Sequence, residues 1–288
     1  MSARRWATLK RVWLGYLLSA ALNALLHLPL LLRLMWRNRT SRTPLPQHPE
    51  VIITLTSHGR RLRWVHLAIE SVAHAGPVEL WLEPRDYAAP RPAGLQRLCD
   101  RGLRIRKAEP GLGPHTKYLP AARAHPGRWL ITIDDDVLYL PWCVPRLIDA
   151  ARPHHITAHR AHRIRLNNQR IAPYSQWRPV RSTDASLLHV ATGVSAVCYP
   201  PRFVHTLAQL SRQDLGASLR CDDLFLHHAA LRAGLPVAQV RPRPAHFPLL
   251  PSAAWRPLVR SNLSRGNDAA IAQLYSVEDV QQLGRALG

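Results

Sequence analysis

A chain of 288 residues with 47% hydrophobic and 7% aromatic side chains can bury one large α/β core. It is neither a disordered polymer nor a multi-span membrane protein. The excess of 39 basic over 18 acidic residues, +21 in all, ordinarily raises nucleic acid as a partner. Here only Lys10, Lys107 and Lys117 are lysine and the arginines are scattered, so we read biased composition and no nucleic-acid partner.

In chain order, residues 12–32 (VWLGYLLSAALNALLHLPLLL) come first, an uncharged run between Arg4, Arg5, Lys10, Arg11 and Arg33, Arg37, Arg39, Arg42. About 20 apolar residues suffice to span a bilayer. Asn23, His27 and Pro29 interrupt the run, and basic residues on both flanks leave the positive-inside rule without a direction. The expectation is a basic, hydrophobic membrane-anchor helix within residues 1–39, lying in the interface or re-entrant. A true span and a helix docked on the protein itself are the alternatives. Residues 40–49, rich in proline, read as a linker, and the main domain as residues 50–288.

Residues 51–55 (VIITL) predict a buried first strand, followed by a Thr56-Ser57 loop and a helix over 62–73. Residues 78–82 predict a second strand, 84–92 a loop, 95–99 a short helix and 103–106 a third strand. Residues 112–118 form a turn into a helix, and 129–133 (WLITI) a fourth strand ending in three aspartates. Further on, 187–191 and 237–240 predict strands and 224–231 a helix. Alternating strands and helices predict a Rossmann-like, mostly parallel sheet flanked by helices, with ligands at the strands' carboxyl ends. His154, His155, His159 and His162 lack the His-Glu-x-x-His pattern of a zinc site and read as a surface or acceptor-facing loop. Cys99, Cys143, Cys198 and Cys221 form no Cys-x-x-Cys pair and fit reduced thiols facing a cytosol.

Asp134, Asp135 and Asp136 carry the chemistry. Adjacent carboxylates repel, and a divalent cation removes that cost. Mg²⁺ or Mn²⁺ prefers such oxygen donors and keeps room for substrate phosphates. In extended backbone Asp134 and Asp136 share a face. A solvated turn or helix cap is the plainer alternative. Lys117 can act as a point charge on a diphosphate, as can His115 if protonated. Asp222 and Asp223 stand at a helix start, where one can cap the helix or act as a base.

The ordered segments VIITLTSHGRRL (51–62), HLAIESV (66–72), LWL (80–82), LGPHTKYLPA (112–121), ITIDDDVLYLP (131–141), TGVSAVCYPP (192–201) and CDDLFLHHAALRAG (221–234) resemble a family of bacterial glycosyltransferases for capsule and lipopolysaccharide sugars, within the GT-A superfamily. The resemblance covers residues 50–270 and implies a metal-dependent, inverting transfer of sugar from a nucleotide-sugar donor to a cell-surface glycan or lipid-linked acceptor. It implies donor contacts at Thr56 and Ser57 and sugar contacts at 192–195. Asp134 and Asp136 would hold Mn²⁺ or Mg²⁺, with His246 as third ligand. Asp135, Lys117 and His115 would lie near the donor, and Asp223, or else Asp222, would be the base. The anchor would hold the enzyme at the cytoplasmic face of a bacterial inner membrane. A metal-dependent nucleotidyltransferase or phosphoesterase, and a non-enzymatic membrane or nucleic-acid binding protein, remain alternative readings.

Overall fold

The computed structural model describes residues 27–218, 221–250 and 266–287. The strands are β1 (Val51–Thr56), β2 (Val78–Leu82), β3 (Arg104–Lys107), β4 (Trp129–Thr132), β5 (Ile156–Ala158), β6 (Ala161–Arg163), β7 (Leu166–Asn167), β8 (Arg170–Ile171), β9 (Arg178–Pro179), β10 (His189–Ala191), β11 (Val197–Tyr199) and β12 (Val237–Gln239). Seven of them form the central sheet in the order β12-β5-β11-β4-β1-β2-β3, with β10-β6-β9 and β7-β8 as small antiparallel sheets. Within the large sheet only β11 runs antiparallel to its neighbours.

The helices are α1 (27–40), α2 (Val65–Val72), α3 (Pro84–Ala88), α4 (Ala93–Cys99), α5 (Leu119–Ala124), α6 (Cys143–Ala150), α7 (Pro201–Ala208), α8 (Arg212–Leu215), α9 (Asp222–Arg232), α10 (Asn267–Leu274) and α11 (Val277–Arg285). The architecture is the expected mixed α/β domain with a mostly parallel sheet between helices.

β1 shows how the sequence builds two layers. Its side chains alternate, so Val51, Ile53 and Leu55 enter one core with Ile69, Leu80 and Ile131. Ile52 enters the other, with Leu119, Leu130 and Phe203. A strand covered on both faces needs a continuous apolar run, which VIITL supplies. Thr54, on the second face, is fully buried, and its hydroxyl donates to the Lys117 carbonyl at 2.7 Å. That bond ties the 113–117 turn to the sheet.

Three expectations need correcting. Residues 84–92 are not all loop, because Pro84 occupies the first turn of α3, where its missing N–H costs nothing. The helix expected over 62–73 divides into a 3₁₀ turn (Gly59–Arg63) and α2. The histidine-bearing stretch is not a surface loop: β5 lies inside the main sheet, and the His159 ring is buried with Nε2 against the Cys143 carbonyl at 2.7 Å.

At the amino-terminal side, residues 1–26 of the expected anchor lie outside the described residues. Among the described residues no helix is long and apolar enough to cross a membrane. α1 packs Leu34, with Leu30, Leu31 and Met35, against Leu67, Ala68, Leu138 and Leu250. The buried Asn38 side chain donates to Glu70 (3.1 Å) and to the Gly94 carbonyl (3.0 Å). Glu70, itself fully buried, also meets Arg101 at 2.5 Å and Arg37 at 3.5 Å. Through residues 40–49 the chain stays attached, with the Leu45 N–H donating to the Arg101 carbonyl at 2.7 Å.

Candidate active site

β4 delivers the aspartates to the carboxyl edge of the sheet, and neighbouring backbone holds them there. The Ile133 N–H donates to the Thr54 carbonyl at 3.1 Å, and the Asp134 N–H to the Tyr139 hydroxyl at 2.9 Å. The Asp136 carbonyl accepts from the Leu250 N–H at 2.6 Å. The three side chains then take different surroundings. Asp135 turns inward, accepting from the Ser57 hydroxyl at 2.6 Å and pairing with Arg61 at 2.6 Å. Asp134 and Asp136 keep 28% and 21% of their side-chain surface exposed.

Cations of the chain itself offset the carboxylate repulsion. Arg61 bridges Asp135 and Asp136. Lys117 Nζ lies 3.1 Å from Asp134 and 2.6 Å from Asp222. Burial still dominates at two positions, pushing Asp135 and Asp136 up to about 6 despite Arg61. Lys117 goes the other way. Burial alone would lower it, but Asp134, Asp222 and Asp223 raise it well above the usual lysine range, so it is a fixed positive charge.

The second acidic pair opens α9. Cys221 is the cap residue and makes no side-chain cap hydrogen bond, so neither aspartate serves as an ordinary N-cap. The Gly193 N–H donates to Asp223 Oδ1 at 3.0 Å. A Cβ at Gly193 would stand 2.7 Å from Lys117 Nζ and 3.0 Å from Asp223 Oδ1, so a side chain there would have to displace the Lys117 ammonium. The two carboxylates have opposite environments. Burial pushes Asp222 up, but the Lys117 ammonium outweighs it and holds Asp222 below the usual carboxylate range. Burial and then the Asp222 charge raise Asp223 to about 7. Neighbouring carboxyls separated in this way are the mark of an acid/base assignment, with the raised one as the proton carrier near neutrality.

Lys117, Asp134, Asp222, Asp223 and Gly193 therefore meet at one point, from four segments far apart in sequence. Ser57 and Asp135 stand just behind. Thr56 and His115 do not reach it. The Thr56 hydroxyl is spent on the Trp81 carbonyl at 2.8 Å. The His115 ring is fully buried, with Nε2 donating to the Ser218 carbonyl (3.0 Å) and Nδ1 left to accept from the Tyr118 hydroxyl (2.6 Å). Burial lowers it further, so His115 is a neutral positioning group and not a cation for a diphosphate.

His246 also stands apart. Its segment runs beside the aspartate loop, with Leu249 bridged to Val137. The imidazole is exposed and feels Arg160 and His162 rather than the carboxylates. Among the described residues no three His, Cys, Asp or Glu side chains form a ready metal cluster. Residues 135 and 136 form a turn rather than extended backbone, so the shared face expected of Asp134 and Asp136 does not follow from strand geometry. Both are nonetheless partly exposed carboxylates, oxygen donors of the kind a hard divalent cation takes, short of a full ligand set. Arg61 and Tyr139 are the participants that sequence reasoning did not single out. Their only signal was position, after the first strand and after the aspartates.

No family model matches the chain, and no curated protein matches it. Among solved structures, the mannosyltransferase PcManGT from Pyrobaculum calidifontis, in complex with GDP-Man and Mn²⁺, is similar at 16% identity and a TM-score of 0.49, over 93% of this chain and 79% of that one. S. aureus TarS (residues 1–349) is similar at 13% identity and a TM-score of 0.47, over 83% and 70%. Its complex with UDP gives 0.45 at the same identity and coverage.

Proposed function

We propose that the chain is a metal-dependent glycosyltransferase of the GT-A type, moving a sugar from a nucleotide-sugar donor to a glycan or lipid-linked acceptor. The supporting observation is the convergence of Lys117 with Asp134 on one side and the split Asp222–Asp223 pair on the other. One half of that arrangement suits a diphosphate and the other suits a hydroxyl nucleophile.

Asp134 and Asp136 would hold Mn²⁺ or Mg²⁺, which when bound supplies positive charge to the donor diphosphate. Lys117 adds a fixed cation at the same place and stabilises charge on the departing diphosphate. Asp223 takes the proton from an acceptor hydroxyl. That oxygen bonds to the anomeric carbon as the carbon–oxygen bond to the diphosphate breaks, with the electron pair leaving on the diphosphate. Attack opposite the leaving group inverts the anomeric centre, the outcome that the sequence resemblance implies. Arg61 and Ser57 fix Asp135, and through it the loop that carries the other two aspartates.

Residence at the cytoplasmic face of a bacterial inner membrane belongs to the same proposal. It is supported by α1, where Leu28, Leu32 and Trp36 recur every fourth residue and stay 41%, 54% and 67% exposed while the opposite face is docked.

The test is to incubate the protein with Mn²⁺, a panel of nucleotide sugars and lipid-linked glycans, and identify the released product. A nucleoside diphosphate released together with a glycosylated acceptor supports the reading. Nucleoside monophosphate or inorganic phosphate without sugar transfer would indicate a nucleotidyltransferase or phosphoesterase. Full turnover by Asp136→Ala would remove the metal role.

A further inference from the structure

A cavity of about 240 Å³ is walled by Trp142, His159, Arg241, Arg243 and His246. It is smaller than the ~300–1,000 Å³ of a complete small-molecule site, which makes it the size of a subsite. Its walls are joined to the reacting centre. The Ser195 hydroxyl donates to the Ala245 carbonyl at 2.9 Å, in the same turn whose Gly193 N–H holds Asp223. On the other side Phe247 packs on Trp142 and on Tyr139, each with centroids 5.3 Å apart, and Tyr139 holds the aspartate backbone.

The charge around this cavity is all of one sign. The Arg146 guanidinium lies over the Trp142 ring, 4.5 Å from its centroid, with Arg241 at 6.0 Å. Arg160 borders His246 and His162. All 18 Asp and Glu residues of the chain lie within the described stretches. None of them is ion-paired with Arg146, Arg160, Arg241 or Arg243. Arginines elsewhere in the fold do find carboxylates, as Arg37, Arg61, Arg101 and Arg106 do. The same field depresses the nearby His159 and His162, already lowered by burial. Unpaired guanidinium groups around an aromatic wall recognise oxyanions, often by two hydrogen bonds at once, and a concave site concentrates their field.

We propose that the Trp142–Arg241–Arg243–His246 cavity is the acceptor subsite and takes an anionic sugar unit, one bearing a phosphate or carboxylate group. This deepens the transferase reading and rests on it. The cavity meets the Asp223 side of the cluster through the 192–195 turn, where an acceptor must sit, while Lys117, Asp134 and Asp136 serve the donor.

Calorimetric titration of the full-length protein tests the proposal. The probes are glucose 1-phosphate, glucuronate and neutral glucose, each against wild type and the surface variant Arg241→Gln/Arg243→Gln. The expected result is that at least one anionic sugar binds tenfold or more tightly than glucose. The variant should lose that preference by tenfold or more while keeping its melting temperature. Glucose binding as well as both anionic sugars, or an unchanged preference in the variant, would overturn the subsite. So would binding abolished by saturating nucleoside diphosphate, since the anion would then occupy the donor site. A parallel titration with UDP and GDP in Mn²⁺ reads the donor assignment separately. Its failure alone removes the enzymatic reading, and failure of the sugar titrations alone removes the subsite.

Discussion

Asp222 and Asp223 are adjacent in the chain, yet one faces Lys117 at 2.6 Å and the other accepts a backbone N–H from Gly193. The ammonium pairs directly with the first and stabilises it as an anion, while at the second its pull is outweighed by burial and by the Asp222 charge. Asp223→Asn should therefore lower kcat by about 10²–10⁴-fold, the usual worth of a general base, with nucleotide affinity unchanged in a binding titration. The base must be unprotonated to act, so kcat/KM should rise with pH through about 7 and fall below it. That limb should vanish in Asp223→Asn. Gly193→Ala tests the packing of the same point. Its methyl would meet Lys117 Nζ at 2.7 Å, so kcat should fall while the circular dichroism spectrum stays native. The acidic residues of the site were legible in the sequence because few structural roles call for consecutive aspartates after a buried strand. Arg61 was not, since one arginine among many carries no signal until the fold places it between Asp135 and Asp136.

At the scale of elements, β1, β2 and β4 could be read from the sequence because strands buried on both faces leave short, mostly apolar runs, broken only by Thr54 in β1 and Glu79 in β2 before the closing threonines. The small strands β6 to β9 could not, being only two or three residues long and held by neighbours rather than by pattern. α1 was legible as apolar, with docking only one alternative, because the partners of its packed face and of Asn38 lie on segments distant in sequence. Its two faces should respond differently to substitution. Leu34→Ala, on the docked face, should destabilise the fold by about 2–5 kcal/mol in chemical denaturation. Leu32→Ser with Trp36→Ser, on the exposed face, should leave stability within about 0.5 kcal/mol. The same pair should reduce co-sedimentation with anionic phospholipid vesicles severalfold. Unchanged sedimentation would leave α1 as a structural helix alone.

For the molecule as a whole, the carboxylate cluster is a standing strain on the fold. Burial lifts Asp135, Asp136 and Asp223, while among the described residues Arg61 and Lys117 are the cations paired with these five acidic groups. A ligand that brings positive charge to Asp134 and Asp136 and negative charge to Lys117 relieves that imbalance only in the folded state. Mn²⁺ together with a nucleoside diphosphate at about 100 times its dissociation constant should then add about 2.7 kcal/mol of stability. In a domain of this size that raises the melting temperature by about 5 °C. The two components should act together: either alone should shift the melt by less than half as much, because each leaves one side of the cluster uncompensated. Asp134→Ala/Asp136→Ala should abolish the joint shift while its own unliganded melting temperature stays equal or rises, since two repelling carboxylates are gone. An undiminished shift in that variant would place the cation elsewhere.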